Sequence, residues 1–90
     1  MDETMTSVED RLREVFRRCA VPPRGLDGAR PDTDLWDLGM DSFATIKVMV
    51  AIEEEFAIEF PDAMLTRETF RTLGSITAAL EEMLGAGKRG

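Results

Sequence analysis

Three stretches of this chain place apolar residues at the spacing of an α-helix, whereas its only alternating stretch has no partner with which to pair. The first apolar stripe predicts a helix over about residues 7–19 and consists of Val8, Leu12, Val15, Phe16 and Cys19. The second stretch predicts a helix over residues 42–56, and the third predicts a helix that begins near Thr72 or Ser75. The pattern therefore predicts an all-α bundle of three main helices, with one short extra helix within residues 62–70.

The predicted helix ends follow from capping residues and helix breakers. Thr6 and Glu9 have the spacing of a capping box, in which each side chain accepts from the other residue's backbone N–H. The Pro-Pro pair at residues 22–23 stops the first helix. Asp41 is placed to cap the second helix, and Gly85 is expected to end the third.

Residues 20–41 form a long first loop, in which prolines and glycines interrupt any regular pattern. Connections of this length are uncommon in compact domains and tend to be functional. The second half of the loop carries four apolar side chains that we expect to fold back onto the core: Leu35, Trp36, Leu38 and Met40.

The second helix carries a wide apolar arc, which indicates contacts with several other elements. The residues predicted to form its buried face are Phe43, Ile46, Val50 and Phe56, joined by Met49 and Ile52. We interpret the rings of Trp36 and Phe43 as core residues, with a surface contact as the alternative.

A chain of 90 residues allows one domain, spanning residues 1–90, with frayed ends expected at residues 1–6 and 85–90. Its 18 acidic and 11 basic residues give a net charge of −7, which disfavours nucleic acid as a partner. Residues 32–62 hold nine acidic side chains against the single base Lys47. This central segment is either a solvated surface or a docking face for a basic partner.

Several residue types needed for catalysis are missing. The chain has no histidine, no tyrosine and one cysteine, Cys19, so the usual general base and the common zinc sites are excluded. The acids of residues 32–37 do not have the ligand order of a calcium loop, and no metal is expected. Neither a signal peptide nor a membrane-spanning run is recognisable, which predicts a cytoplasmic protein. An independent enzyme is therefore disfavoured.

The most informative stretch is Asp37-Leu38-Gly39-Met40-Asp41-Ser42. Gly39 permits a sharp bend, and Ser42 then lies at a helix start, where unpaired N–H groups and the helix dipole favour an anion on the serine oxygen. Ser42 is no catalytic nucleophile, because the chain has no histidine to serve as its base. From these residues alone, a simple capping pair at a helix start remains the alternative.

Residues 35–43, with the sequence Leu-Trp-Asp-Leu-Gly-Met-Asp-Ser-Phe, resemble the acyl carrier protein family of phosphopantetheine-binding carriers. The resemblance continues through residues 46–56 and 58–62 and covers nearly the whole chain, from about Val8 to Leu84. It implies the acyl-carrier-like bundle of helices with a long first loop.

The resemblance also implies a function. A phosphopantetheinyl transferase would attach 4'-phosphopantetheine from coenzyme A covalently to Ser42, with Asp41 and Gly39 as cofactor-binding neighbours. Asp41 would also help the transferase to position its metal and the serine. The arm would hold acyl or aminoacyl groups as thioesters, so the chain would be a carrier and not an enzyme.

Partners follow from the same resemblance. They would be an acyl- or aminoacyl-loading ligase and a downstream transferase or synthase. The helix over residues 42–56 would be the recognition helix, with Phe43, Lys47, Glu53 and Glu54 as docking residues. A monomer is expected, because a shuttle must dock quickly and reversibly.

Some residues depart from the family pattern and bear on the cargo. Phe43 stands where leucine is commonest, and Ala44 and Lys47 occupy positions that are often acidic in fatty-acid carriers. These departures argue against an ordinary fatty-acid synthase carrier. Residues 42–44 and 58–62 more closely resemble the small stand-alone carriers charged by amino acid:carrier protein ligases. A carrier of a polyketide or nonribosomal peptide pathway is a further possibility. The alternative to any carrier is an acidic helical protein-interaction domain.

Overall fold

The structure, a computed structural model, describes residues 7–89, which form three helices around one apolar core. Helix α1 spans Val8–Cys19, α2 spans Ser42–Phe56 and α3 spans Leu73–Arg89, and two 3₁₀ turns, Leu35–Leu38 and Asp62–Met64, lie between them. No strand occurs in the described part of the chain. The predicted all-α bundle is therefore confirmed, and the predicted short helix is the single turn Asp62–Met64.

The start of α1 is one residue later than the capping pattern predicts. The Ser7 Oγ accepts a hydrogen bond from the Asp10 N–H at 3.1 Å, and the Asp10 carboxylate accepts from the Ser7 N–H at 3.5 Å. The predicted cap Thr6 lies outside the described residues, and Glu9 pairs with Arg13 at 3.0 Å instead. Both hydroxyl residues have an acid three positions later, so the local sequence does not distinguish the two caps.

Helix α2 buries a different face from the predicted one. Its buried residues lie four apart and are Ala44, Val48, Ile52 and Phe56. Phe43, Ile46 and Val50 are exposed, so the prediction that they share the buried face with Phe56 is wrong. Apolar residues cover both sides of this helix, and packing against α1 selects which side is buried.

The long first loop is held against the start of α3 by two backbone hydrogen bonds. The Leu35 N–H donates to the Arg71 carbonyl and the Gly74 N–H donates to the Pro31 carbonyl, both at 2.8 Å. The predicted packing of the loop's apolar half is confirmed by four buried or half-buried residues: Leu35, Met40, Trp36 and Leu38. These contacts order the segment that leads into α2.

Helix α3 begins at Leu73, with Thr72 as its cap. The Thr72 Oγ1 accepts from the Ser75 N–H at 2.9 Å, which decides between the two predicted capping residues. The prediction that Gly85 ends this helix is wrong, since α3 continues to Arg89. Gly85 does not adopt a left-handed φ, and a glycine with helical geometry lowers helix propensity without ending the helix.

The segment between α2 and α3 is anchored by two aromatic rings. Phe60 and Phe70 are buried and meet edge to face, with ring centroids 5.3 Å apart. The Phe60 N–H donates to the Glu53 carboxylate at 2.9 Å, which ties this segment to α2. Residues 61–72 are therefore positioned beside α2 although they form almost no regular structure.

Candidate functional site

Ser42, the candidate attachment residue, is the first residue of α2 and is exposed. Asp41 precedes it and caps the helix, as predicted, because its Oδ1 accepts from the Ala44 N–H at 2.8 Å. Met40, one residue earlier, is buried in the core. The serine hydroxyl therefore stands at the positive end of a helix whose start is anchored by a buried side chain.

Gly39 provides the bend that leads into α2, and its φ of 105° lies in the left-handed region. Its N–H donates to the Trp36 carbonyl at 3.1 Å. A Cβ at this position would lie 3.1 Å from the Pro23 Cδ, so the site also lacks room for a side chain. The left-handed φ confirms the predicted bend at Gly39, and the contact with Pro23 separately disfavours any larger residue there.

A groove of about 370 Å³ opens beside Ser42, between α2 and the segment that precedes α3. Ser42 lines the groove together with Arg67. Most of the remaining wall is apolar and includes Trp36, Ile46, Met49, Leu65 and Phe70. The site thus combines an exposed hydroxyl with an adjoining apolar surface.

Trp36, one wall of this groove, is held by Asp34. The Asp34 Oδ1 accepts from the Trp36 N–H at 2.9 Å, and its Oδ2 accepts from the Arg71 guanidinium at 3.1 Å. Burial by itself acts to raise the pKa of Asp34, but the hydrogen bonds from Trp36 and Arg71 outweigh burial and hold the pKa below its ordinary value of 3.8. The carboxylate therefore stays ionised at neutral pH and fixes the backbone at Trp36.

These residues fit the 4'-phosphopantetheine arm that the resemblance implies. The helix start at Ser42 favours the negative charge of a phosphodiester. The adjoining groove offers apolar surface to a flexible chain. The Nε1 of Trp36, another residue of this groove, is buried and has no hydrogen-bond partner within the described residues.

The first three turns of α2 present apolar side chains to solvent. Phe43 is 82% exposed, so its interpretation as a core residue is wrong, and the alternative of a surface contact stays a prediction. Trp36 is half-buried against the core. Ile46 and Val50 are also exposed, one and two turns beyond Phe43, with Lys47 exposed between them. We call Phe43, Ile46 and Val50 the outer stripe of α2.

The acids at the other end of α2 do not form one acidic face. Glu53 accepts from the Phe60 N–H at 2.9 Å. Glu55 pairs with two arginines of α1, Arg11 at 3.2 Å and Arg18 at 3.1 Å. Of the two acids predicted as docking residues, Glu54 is exposed whereas Glu53 is half-buried and engaged within the chain.

Sequence reasoning did not identify Ile46, Val50 or Leu65 as exposed apolar residues beside the serine. One signal was available for the first two, because α2 has more apolar residues than a single buried face requires. Arg67 was also missed, and no local pattern places it against Trp36, which lies 31 positions earlier in the chain.

No group of three or more metal-ligating side chains is brought together within residues 7–89. The same part of the chain contains no helix that is long and apolar enough to cross a membrane. Cys19 is free and half-buried at the end of α1.

The sequence is similar to proteins of one family. Residues 10–80 match the family model described as a phosphopantetheine attachment site. The chain is 34% identical over 73 residues to the aminoacyl carrier protein of Agrobacterium fabrum, covering 81% of this chain and 88% of that protein. It is 36% identical over 80 residues to an acyl carrier protein of Rhodopseudomonas palustris, covering 87% and 95% respectively.

The fold is also similar to a chain in the crystal structure of an engineered Bradyrhizobium japonicum glycine:[carrier protein] ligase complexed with a carrier protein from Agrobacterium tumefaciens and ATP. The TM-score is 0.76 at 33% identity, covering 81% of this chain and 95% of that chain. These similarities favour a carrier over an acidic interaction domain. The chain is thus not an enzyme, and its cofactor is a covalent 4'-phosphopantetheine. It belongs to the phosphopantetheine-binding family of carrier proteins.

Proposed function

We propose that the chain is an aminoacyl carrier protein, in which Ser42 is the attachment residue for 4'-phosphopantetheine. An amino acid as cargo is supported by the likeness of this chain to an aminoacyl carrier protein, at 34% identity over most of both chains. The likeness to a carrier chain crystallised with a glycine:[carrier protein] ligase points to the same cargo. When attached, the group supplies a thiol that holds an amino acid as a thioester.

The chain's own residues prepare the serine for modification. Asp41 fixes the first turn of α2 through its bond to the Ala44 N–H, and this keeps the Ser42 hydroxyl exposed at the positive end of the helix. The cap uses one carboxylate oxygen of Asp41. We infer that the other oxygen helps the phosphopantetheinyl transferase to position its metal.

The outer stripe of α2 supports docking to a ligase through apolar contacts. Exposed large apolar residues that lie together are typical of protein interaction sites. Lys47 lies beside the stripe, whereas Glu53 and Glu55 are engaged within the chain. We therefore infer that the loading ligase meets α2 mainly through apolar surface near Ser42. A downstream transferase or synthase would then receive the amino acid at the same end of the helix.

Attachment at Ser42 is tested by intact-protein mass spectrometry. The apo-protein is incubated with coenzyme A and a transferase of broad specificity. We expect a mass gain equal to one arm in the wild type and none in Ser42→Ala. Thr45→Ala, which changes a hydroxyl residue one turn along α2, is the matched control and should gain the arm. A gain that persists in Ser42→Ala would place the arm on another residue.

The cargo is tested on the holo-protein with a glycine:[carrier protein] ligase, ATP and each amino acid in turn. We expect an additional mass equal to one aminoacyl group, which hydroxylamine removes because it is a thioester. Holo-protein that accepts no amino acid from such ligases, but is acylated by a fatty-acyl or malonyl transferase, would contradict the aminoacyl assignment. Attachment of the arm at Ser42 would then still stand.

A further inference from the structure

The groove beside Ser42 contains one cationic side chain, that of Arg67. Its guanidinium carbon lies 4.4 Å from the centre of the Trp36 ring, within the range of a cation–π contact. Trp36 is itself held by Asp34, as described above. The contact with the Trp36 ring therefore holds Arg67 at the groove, and the backbone of Trp36 is itself fixed by Asp34. Arg67 itself belongs to a segment without helical structure.

Within the described residues, Arg67 forms no ion pair, and this distinguishes it from its neighbour Arg71. Arg71 pairs with Asp34 at 3.1 Å and with Glu68 at 3.5 Å. An arginine that stacks on an aromatic ring leaves its N–H donors at the edge of the guanidinium plane available to an anion. Arg67 is thus the cation of this groove that can receive a negatively charged group.

We propose that Arg67 is a positioning residue that binds the phosphodiester on Ser42 and, together with Trp36, holds the inner part of the arm in the groove. The inference rests on the proposed attachment at Ser42. A phosphodiester there would carry a negative charge on a residue that lines the same groove as Arg67. Arginine pairs with phosphate oxygens through charge-assisted hydrogen bonds.

Covalent attachment favours this occupant over any free ligand. A group tethered to Ser42 is present at the groove at a high effective concentration, whereas a free anion must bind from dilute solution. An acidic group on a partner enzyme is the other anion that Arg67 could meet, and the experiment below separates the two.

The test compares apo- and holo-protein after mass spectrometry has confirmed complete attachment of the arm. The phosphorus resonance of the phosphodiester reports on the phosphate directly. The indole N–H resonance reports on the groove without ambiguity, because Trp36 is the only tryptophan in the chain. In the wild type we expect the indole resonance to move between the apo and holo forms. We also expect the phosphorus resonance to differ from that of the same arm in unfolded protein.

Three variants then identify the role of the cation. In Arg67→Gln the arm should attach fully, but the population of groove-bound arm should fall about two- to fivefold, as expected for an exposed ion pair. Both spectral changes should shrink in proportion. Arg67→Lys keeps the charge and should retain most of the phosphorus shift. Arg24→Gln removes an exposed arginine outside the groove and should behave as the wild type.

If Arg67→Gln leaves the indole and phosphorus shifts of the holo-protein unchanged, this inference is overturned. Attachment of the arm at Ser42 would still stand. An effect that appears only when the loading ligase is added would assign Arg67 to a partner's acidic group and would also overturn it. If no arm is found on Ser42 despite an active transferase, the proposed function fails together with the inference. The holo-minus-apo difference is taken within each variant, so the direct effect of the lost Arg67–Trp36 contact on the indole resonance cancels.

Discussion

At the residue scale, Glu53 and Glu54 are neighbours with identical side chains and different environments. Glu53 accepts from the Phe60 N–H at 2.9 Å, whereas Glu54 is exposed. A backbone N–H that loses its acceptor in a partly buried setting destabilises the fold, and an exposed acid is open to a partner. Glu53 is therefore engaged within the fold, whereas Glu54 stays a predicted docking residue, although the sequence placed both in one docking group.

Alanine substitutions should separate these two roles. We expect Glu53→Ala to lower the free energy of unfolding by about 1–2 kcal/mol, because the Phe60 N–H loses a charged acceptor. Glu54→Ala should change it by less than about 0.5 kcal/mol, as is usual for exposed sites. Urea denaturation followed by circular dichroism measures both values. If Glu53→Ala lowers the free energy of unfolding no more than about 0.5 kcal/mol, as expected for Glu54→Ala, the hydrogen bond from the Phe60 N–H contributes little to stability.

At the scale of a single element, α2 has two apolar faces with different tasks. The face of Ala44, Val48, Ile52 and Phe56 packs into the core. The outer stripe of Phe43, Ile46 and Val50 faces solvent beside Ser42. Large apolar side chains that lie exposed together on one helix are typical of a surface that a partner covers on docking. In the proposed function, α2 presents the modified Ser42 and the docking surface together.

Substitutions on opposite faces of α2 should affect different properties, the free energy of unfolding on the buried face and loading by the ligase on the exposed face. Ile52→Ala removes a fully buried side chain and should lower the free energy of unfolding by about 2–5 kcal/mol. Phe43→Ala should change it by less than about 0.5 kcal/mol, because the ring is 82% exposed. The same Phe43→Ala variant should raise the KM for loading by the ligase severalfold. Thermal denaturation and steady-state loading kinetics provide the two measurements, and an unchanged KM would argue against docking through the outer stripe.

At the scale of the whole molecule, the long first loop and α3 are joined at one close approach. The Gly74 N–H donates to the Pro31 carbonyl at 2.8 Å, and a Cβ on Gly74 would lie 3.1 Å from the same oxygen. Together with the bond from Leu35 to Arg71, this contact holds the loop that leads into Ser42. The position of the serine therefore depends on a backbone contact between distant parts of the chain.

Two glycines of α3 provide a matched test of this contact. Gly74→Ala should destabilise the protein by about 1–3 kcal/mol, because the added methyl group pushes against the Pro31 carbonyl. Gly85→Ala should stabilise it by about 0.5–1 kcal/mol, because no atom lies within 4 Å of the new Cβ and alanine favours the helix. Melting temperatures of the two variants should move in opposite directions. A rise in both would mean that the loop yields at Pro31 without cost.

The sequence by itself determined the three helices, the Asp41 cap before Ser42, the bend at Gly39 and the family. The helices, the cap and the bend depend on periodicity, capping and φ preferences, which act between residues that are close in the chain, and the family followed from the resemblance carried by residues 35–43. The tertiary structure alone decided which apolar face of α2 is buried, that Glu53 is engaged by Phe60, and that Arg67 lies over Trp36. Each of these depends on contacts that exist only once the helices and loops have packed, so no local pattern in the sequence records them.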